Sequence, residues 1–371
     1  MFRKRVRGAR CVVRGSARDA SRTHHAPRTT YHAPQLAALL LLLAACSPDH
    51  RTPLVIYSPH GRDLLTLFER RFEALHPDID VRWLDMGSQD VYDRVRSERA
   101  NPQADVWFGG PSLILAPAAR DSLLDCYRPS WADAIAARGR GAGDCFFAAY
   151  ETPVVFLYAE KVVPAAEAPQ DWDDLLDPKW TGKIIIRDPL ASGTMRAVFG
   201  LIIERGLQAT GDTAAGVAWL RRLDAQTKVY EQNPALVSEK IARQEGLVTV
   251  WDLPDVLISR RRGMPIGYVF PRSGTVAIED GIAVVRGAKH RAAARAFVDF
   301  VGSVEMQLAA AREVYRLPAR LDLPADSLPD WVRDVRRRMV VADVDWNLIT
   351  EHGPEWMRWW DQHVRGTGRA R

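Results

Sequence analysis

The densest local chemistry in the chain lies at Ser192-Gly193-Thr194, where two hydroxyls flank a glycine ahead of the helix-patterned stretch Met195–Glu204. Unbonded backbone N–H groups, hydroxyl donors and the positive end of a helix dipole make such a place a seat for an anion. The same residues serve equally well as an ordinary helix N-cap. Gly109-Gly110-Pro111-Ser112 follows another apolar run and would add a second nest of backbone donors. Trp107 and Trp251 supply either flat ligand walls or core filling, and Asp252 offers a charge for an amine. Arg196 is read as a solvated helix charge in preference to a group reaching back to a phosphate. The turn Ser58-Pro59-His60-Gly61 holds an imidazole, with Tyr57 adjacent.

These residues do not assemble into a recognisable catalytic pattern. The chain has no G-x-S-x-G elbow, no H-E-x-x-H helix and no phosphate-binding P-loop. The acid pairs Asp173-Asp174 and Glu279-Asp280 read as surface charge in a chain with 46 acids. No catalytic residue, no metal ligand set and no cofactor is therefore assigned. A lipid-anchored secreted hydrolase is the alternative of a different class.

The elements that position these groups alternate. Val55–Tyr57 is a short apolar run closed by a turn. Leu64, Leu65, Leu67, Phe68, Phe72 and Leu75 then recur at helical spacing opposite Arg62, Glu69, Arg70 and Glu73. Ile79–Leu84 reads as a strand, Val91–Arg99 as a helix and Asp105–Phe108 as a strand. Val154–Tyr158, Lys183–Ile186, Leu247–Trp251, Gly267–Val269 and Ile282–Val285 add strands, and Ala292–Phe300 a helix. Alternating strands and helices predict an α/β chain with a parallel sheet covered by helices, whose ligands sit outside the carboxyl ends of strands. Loops 58–61, 86–90 and 109–112 are then the first-contact positions. Trp331, Trp346, Trp356, Trp359 and Trp360 predict a C-terminal helix that docks an aromatic face on the body.

Residues 1–45 hold nine basic side chains and one acid; the remaining 42 basic and 45 acidic residues leave residues 46–371 at a formal −3. The overall +5 thus belongs to the leader, and no nucleic-acid partner follows from it. Leu36–Ala45 is too short an apolar run to span a membrane but suits an export signal. It ends in Leu43-Ala44-Ala45-Cys46, which resembles a lipoprotein processing site with Cys46 as the lipidated residue and residues 46–52 as a tether. His24, His25 and His32 fall in the leader and are not read as ligands. In an oxidising compartment Cys126 and Cys145 read as a disulfide, with two buried free thiols as the alternative.

Several segments together resemble the periplasmic solute-binding proteins of ABC importers, in particular the ferric-iron, thiamine and organophosphate/phosphonate group. They are Val55-Ile56-Tyr57 through Phe72-Glu73, Asn101–Val106, Asp171–Lys183, Gly274-Thr275, Asp280–Val285, and Ala294 with Phe297-Val298-Asp299-Phe300. The resemblance implies a two-lobed α/β fold with a hinge and an interlobe cleft. Lobe 1 would comprise residues 53–152 and 265–320, lobe 2 residues 153–264, and residues 321–371 a C-terminal segment. It implies delivery of the solute to a permease and ATPase without catalysis; with the lipid expected at Cys46, the chain is expected to be a monomer anchored at the membrane and facing the periplasm or cell exterior. The expected contacts are Ser58, His60, Gly109, Gly110, Ser112, Ser192, Gly193, Thr194, Trp251 and Asp252, around a small anion or organophosphate/phosphonate. Ferric iron and thiamine are the alternatives within the group. The iron binders use adjacent tyrosines where this chain has Trp251-Asp252-Leu253, and one Asp with one His is a thin set for so hard a cation.

Overall fold

A computed structural model describes residues 50–367. The leader, Cys46 and the lipidation expected there lie outside the described residues.

The first half of the chain is built from strand–helix units: β1 (Thr52–Ser58), α1 (Arg62–Leu75), β2 (Ile79–Asp85), α2 (Ser88–Ser97), β3 (Val106–Pro111), α3 (Ser112–Arg120) and the short β4 (Leu124–Asp125). β1 pairs in parallel with both β2 and β3, as the alternation requires. Its side chains obey the two-residue period. Leu54 and Ile56 join Phe68, Phe72, Phe108 and Phe297 in one core, while Tyr57 faces another. The apolar stripe of α1 buries Leu64, Leu65, Leu67, Phe68 and Phe72 in the first of these cores.

β5 (Phe147–Ala159) then runs for 13 residues, straight through the Tyr150–Pro153 stretch that the sequence marks as a boundary. Its first seven residues pair with β10 (Ala277–Val285) and β11 (Leu317–Pro318). From Val154 onward its partners are β8 (Val248–Asp252) and β9 (Ile266–Val269). Proline is expected only at the edges of sheets because it has no N–H to donate. Pro153 is tolerated because it stands where the strand changes partners, and Val154 N–H bonds Val276 O at 3.1 Å immediately after it.

The second half contains β6 (Ile184–Arg187), α4 (Gly193–Thr210), α5 (Ala214–Gln226), β7 (Thr227–Glu231), α6 (Pro234–Ala242) and α7 (Leu253–Arg261), with β8 and β9 between and after. The main path through the sheet is β2-β1-β3-β10-β5-β8-β6-β7. α8 (Arg291–Val301) and α9 (Val304–Val314) return to the first half. α10 (Asp330–Arg338) and α11 (Trp346–His363) close the chain. Only part of the tryptophan cluster docks as expected. Trp360 is buried, edge-on to Phe199 and Tyr230 at 5.1 Å each, whereas Trp359 remains 42% exposed. Among the described residues no helix is long and apolar enough to cross a membrane.

Cys126 and Cys145 form a disulfide that closes the three short turns before β5. Closing a loop of this length stabilises a fold by about 3 kcal/mol, chiefly through the unfolded chain. Non-reduced peptide mapping should recover the linked pair. Cys126→Ser with Cys145→Ser should lower the urea-unfolding free energy by about that amount; an unchanged midpoint would contradict it.

Candidate ligand-binding cleft

α1, α2, α3, α4, α6 and α7 each follow a strand and start beyond its carboxyl end, so the two halves of the sheet aim their N-termini at one crevice. Lining a cavity of 80 Å3 are Pro59-His60-Gly61 before α1, Gly87-Ser88 at α2 and Pro111 at α3. Ala191-Ser192 with Thr194 at α4, Pro234 at α6 and Trp251-Asp252 with Asp255 at α7 complete the ring. The first N–H groups of a helix have no carbonyl a turn behind them, so six such ends converging give the crevice a positive rim.

Buried charge balances that rim. Asp252, Asp255 and Asp280 all line the cavity together with Arg187 and Arg316. The Asp252 carboxyl is pushed well above the ordinary range by burial, reinforced by Asp255 and Asp280. It accepts a hydrogen bond from Thr194 Oγ1 at 3.2 Å through Oδ2, and its Oδ1 has no partner. Burial also raises Asp255, against the opposing pull of Arg316, whose Nη2 lies 4.0 Å away. Asp280 is raised by burial while accepting from Thr152 Oγ1 and from Gly110 N–H. His60 is driven well below its usual range by burial, then by Arg316, so the imidazole is neutral; its Nε2 is buried and unpartnered.

The structure brings His60, Ser192, Thr194, Trp251 and Asp252 of the expected contacts to one cavity. Ser192 is at once cap and wall, since its Oγ accepts from Met195 N–H at 3.2 Å. The others sit behind the surface. Ser58 is fully buried and its Oγ accepts from His60 N–H, which holds the turn. Gly109 and Gly110 are part of β3, not a loop nest, because Gly110 N–H is spent on Asp280. Ser112 begins α3 without lining the cavity, and Gly193 packs against Pro111 from the opposite half. Trp107 is core, with its indole N–H bonded to Gly109 O at 2.7 Å.

Asp280, Asp255, Arg187, Arg316 and Thr152 escaped the sequence reading. Asp280 had been assigned to the surface with Glu279, yet it is 8% exposed. A register shift on β10 between Asp280 and Gly281 is a bulge, which re-aims a side chain into the crevice. The one local signal is the acid pair Glu279-Asp280 inside the otherwise apolar stretch Ile278–Val285. Arg187 ends an all-isoleucine strand, a comparable hint. Arg316 follows the left-handed C-cap Tyr315 and had no hint. Arg196 is neither solvated nor in the cleft: at 8% exposure it donates from Nη1 to Gln89 Oε1 at 2.7 Å, across to the first half.

Gly109 has φ +98°, and a Cβ there would stand 2.4 Å from His60 Nε2. Gly109→Ala should therefore both strain the backbone and displace the imidazole, at a cost of about 1–3 kcal/mol in urea unfolding. Wild-type stability in that variant would show that His60 is free to move.

Residues 70–337 match the family described as bacterial extracellular solute-binding protein. The chain is 25% identical over 330 residues to the "Probable ABC transporter periplasmic-binding protein y4fP" of Sinorhizobium fredii, covering 89% of this chain and 91% of that one. It is 27% identical over 306 residues to the "Putative 2-aminoethylphosphonate-binding periplasmic protein" of Salmonella typhimurium, covering 79% and 87%. The fold matches that of the periplasmic binding protein AfuA from Actinobacillus pleuropneumoniae with fructose-6-phosphate bound. The TM-score is 0.75 at 24% identity, over 85% of this chain and 99% of that one. These proteins are two-lobed transport binding proteins and not a family of enzymes, and delivery of a captured solute to a permease is general to them. The chain belongs to the bacterial extracellular solute-binding proteins, the capture components of ABC importers.

Proposed function

We propose that the cleft captures a small phosphonate or phosphate ester carrying an ammonium group, for import without chemical change. The observation that carries this reading is the pairing of opposite charges around one small cavity. Six helix N-termini and Arg187 face an anionic head, and the unpartnered Asp252 Oδ1 beside Asp255 and Asp280 faces a cation. The Salmonella typhimurium relative bears the name of a ligand of this class. Ferric iron is a weaker fit, because among the described residues no three His, Cys, Asp or Glu side chains are placed to share a metal ion. The two lobes, residues 53–152 with 265–320 and residues 153–264, would hinge where β5 changes partners at Pro153-Val154.

The amine is testable by one comparison. 2-Aminoethylphosphonate and ethylphosphonate differ only in the ammonium, and calorimetry should find the former tighter by about tenfold to a hundredfold. Asp252→Asn should erase most of that difference, while Arg187→Ala should weaken both ligands. Equal affinities for the two ligands would remove the amine from the proposal.

Proton linkage supplies an independent check. Burial favours the neutral form of Asp252 and an ammonium ligand favours its ionised form, so binding should be linked to proton release. Affinity for 2-aminoethylphosphonate should then rise as pH climbs from the ordinary carboxylate range towards the elevated Asp252 value. Ethylphosphonate, which gains from a carboxyl that can donate, should lose affinity over the same interval. Identical pH profiles would contradict the role given to Asp252.

The same proposal includes a lipid on Cys46 that tethers a monomer at the membrane. Cys46→Ser should release the protein from the membrane fraction or leave it unprocessed, as read by fractionation and intact-mass measurement. A wild-type protein already soluble and unmodified would refute the anchor.

A further inference from the structure

A second cavity, of 370 Å3, has walls that come from three places. Gln89 of α2 and Ile114 of α3 belong to the first half, Leu190 and Arg196 to the second, and Met357 and Arg358 to α11.

Arg196 is the anomaly in it. The side chain is 92% buried, yet its guanidinium makes only two neutral hydrogen bonds, to Gln89 Oε1 at 2.7 Å and Leu190 O at 3.2 Å. Its Nε is buried without a partner, and it forms no ion pair with a described carboxylate. Asp93 attracts it only at one remove, through Gln89, whose Nε2 donates to Asp93 Oδ1 at 3.0 Å, and a buried cation with no direct ion pair is costly to take out of water. Two more guanidiniums, Arg96 and Arg358, stand exposed on the rim of the same cavity. The rest of the wall is mostly apolar: Leu113, Ile114, Pro117, Leu190, Pro354 and Met357. Asp93 is the single acid lining it.

We propose that this seam cavity is a second binding site, for a small organic carboxylate with an apolar body. The carboxylate lies between Arg196 and Arg358, where the planar fork of a guanidinium matches two oxygens. The hydrocarbon lies on Ile114, Leu190 and Met357, removed from water. Since both halves and α11 contribute walls, the site is whole only when the halves are together as they are here. An occupant stabilises that arrangement, and by reciprocity anything that favours the arrangement tightens the occupant. The inference is independent of which solute the cleft takes.

Methyl-13C-methionine labelling of the protein reads the site directly, with the Met357 signal assigned through Met357→Leu. Hexanoate is the probe and inorganic phosphate the comparison anion. The Met357 methyl should shift and saturate with hexanoate while Met195, beside Ser192 of the cleft, stays in place. Phosphate should move Met357 far less. Arg358→Ala, at an exposed position that leaves the fold intact, should weaken hexanoate by about tenfold, and Arg196→Gln by more. A fixed Met357 signal at saturating hexanoate would overturn the proposal. So would a shift at Met195 instead, a response to phosphate equal to that to hexanoate, or unchanged affinity in Arg358→Ala.

Discussion

β5 is a single strand held by two sets of partners, and the geometry of the molecule hangs on that sharing. Its Phe147–Pro153 part is bonded into the first half of the sheet and its Val154–Ala159 part into the second. A backbone change of a few residues around Pro153 is therefore the least disruptive way for the halves to move relative to each other. The same continuity sets the direction in which the two sheets present their carboxyl ends, and hence where the helices of both halves begin.

That direction creates an electrostatic problem which the cleft residues answer. Helix ends aimed at one point favour negative charge there, and two arginines add to this. Three aspartates offset it, Asp280 buried and Asp252 and Asp255 partly so, but loss of water raises each of them towards the neutral form. The result is a set of carboxyls whose neutral forms are favoured beside a positive rim. Thr194 and Thr152 hold two of them in place through their hydroxyls. The neutral His60, fixed by the Ser58 turn and covering Gly109, closes the wall on the first half.

Beside the shared strand, side chains also join the two halves. Gln89 and Arg196 meet across the seam, Asp63 pairs with Arg262 at 2.6 Å, and Gly193 presses on Pro111. α11 lies against both α3 and α4, with Trp360 anchoring it in the second half beside Phe199. The C-terminal segment is thus an element that touches both halves.

The alternation of apolar runs with helical stripes, the α/β class, and the placement of His60, Ser192, Thr194, Trp251 and Asp252 at strand ends were legible in the sequence. Each rests on a local signal: periodicity, a turn dipeptide, or a cap at a helix start. The pairing of Cys126 with Cys145 was legible from export and the cysteine count. The cleft's charge balance was not. Asp280, Asp255, Arg187 and Arg316 look in sequence like any of 46 acids and 51 bases. What distinguishes them is burial beside one another, which a β-bulge, a left-handed cap and the crossing of two half-sheets bring about. Gly109 and Gly110 looked like an anion nest, but a neighbouring strand took up the Gly110 N–H through Asp280. Arg196 looked solvated until α2 and α11 covered it. Local pattern determines which residues form strands, helices and turns, because that depends on neighbours within a few positions. Which charges lose their water depends on long-range packing, and only the tertiary structure decided it.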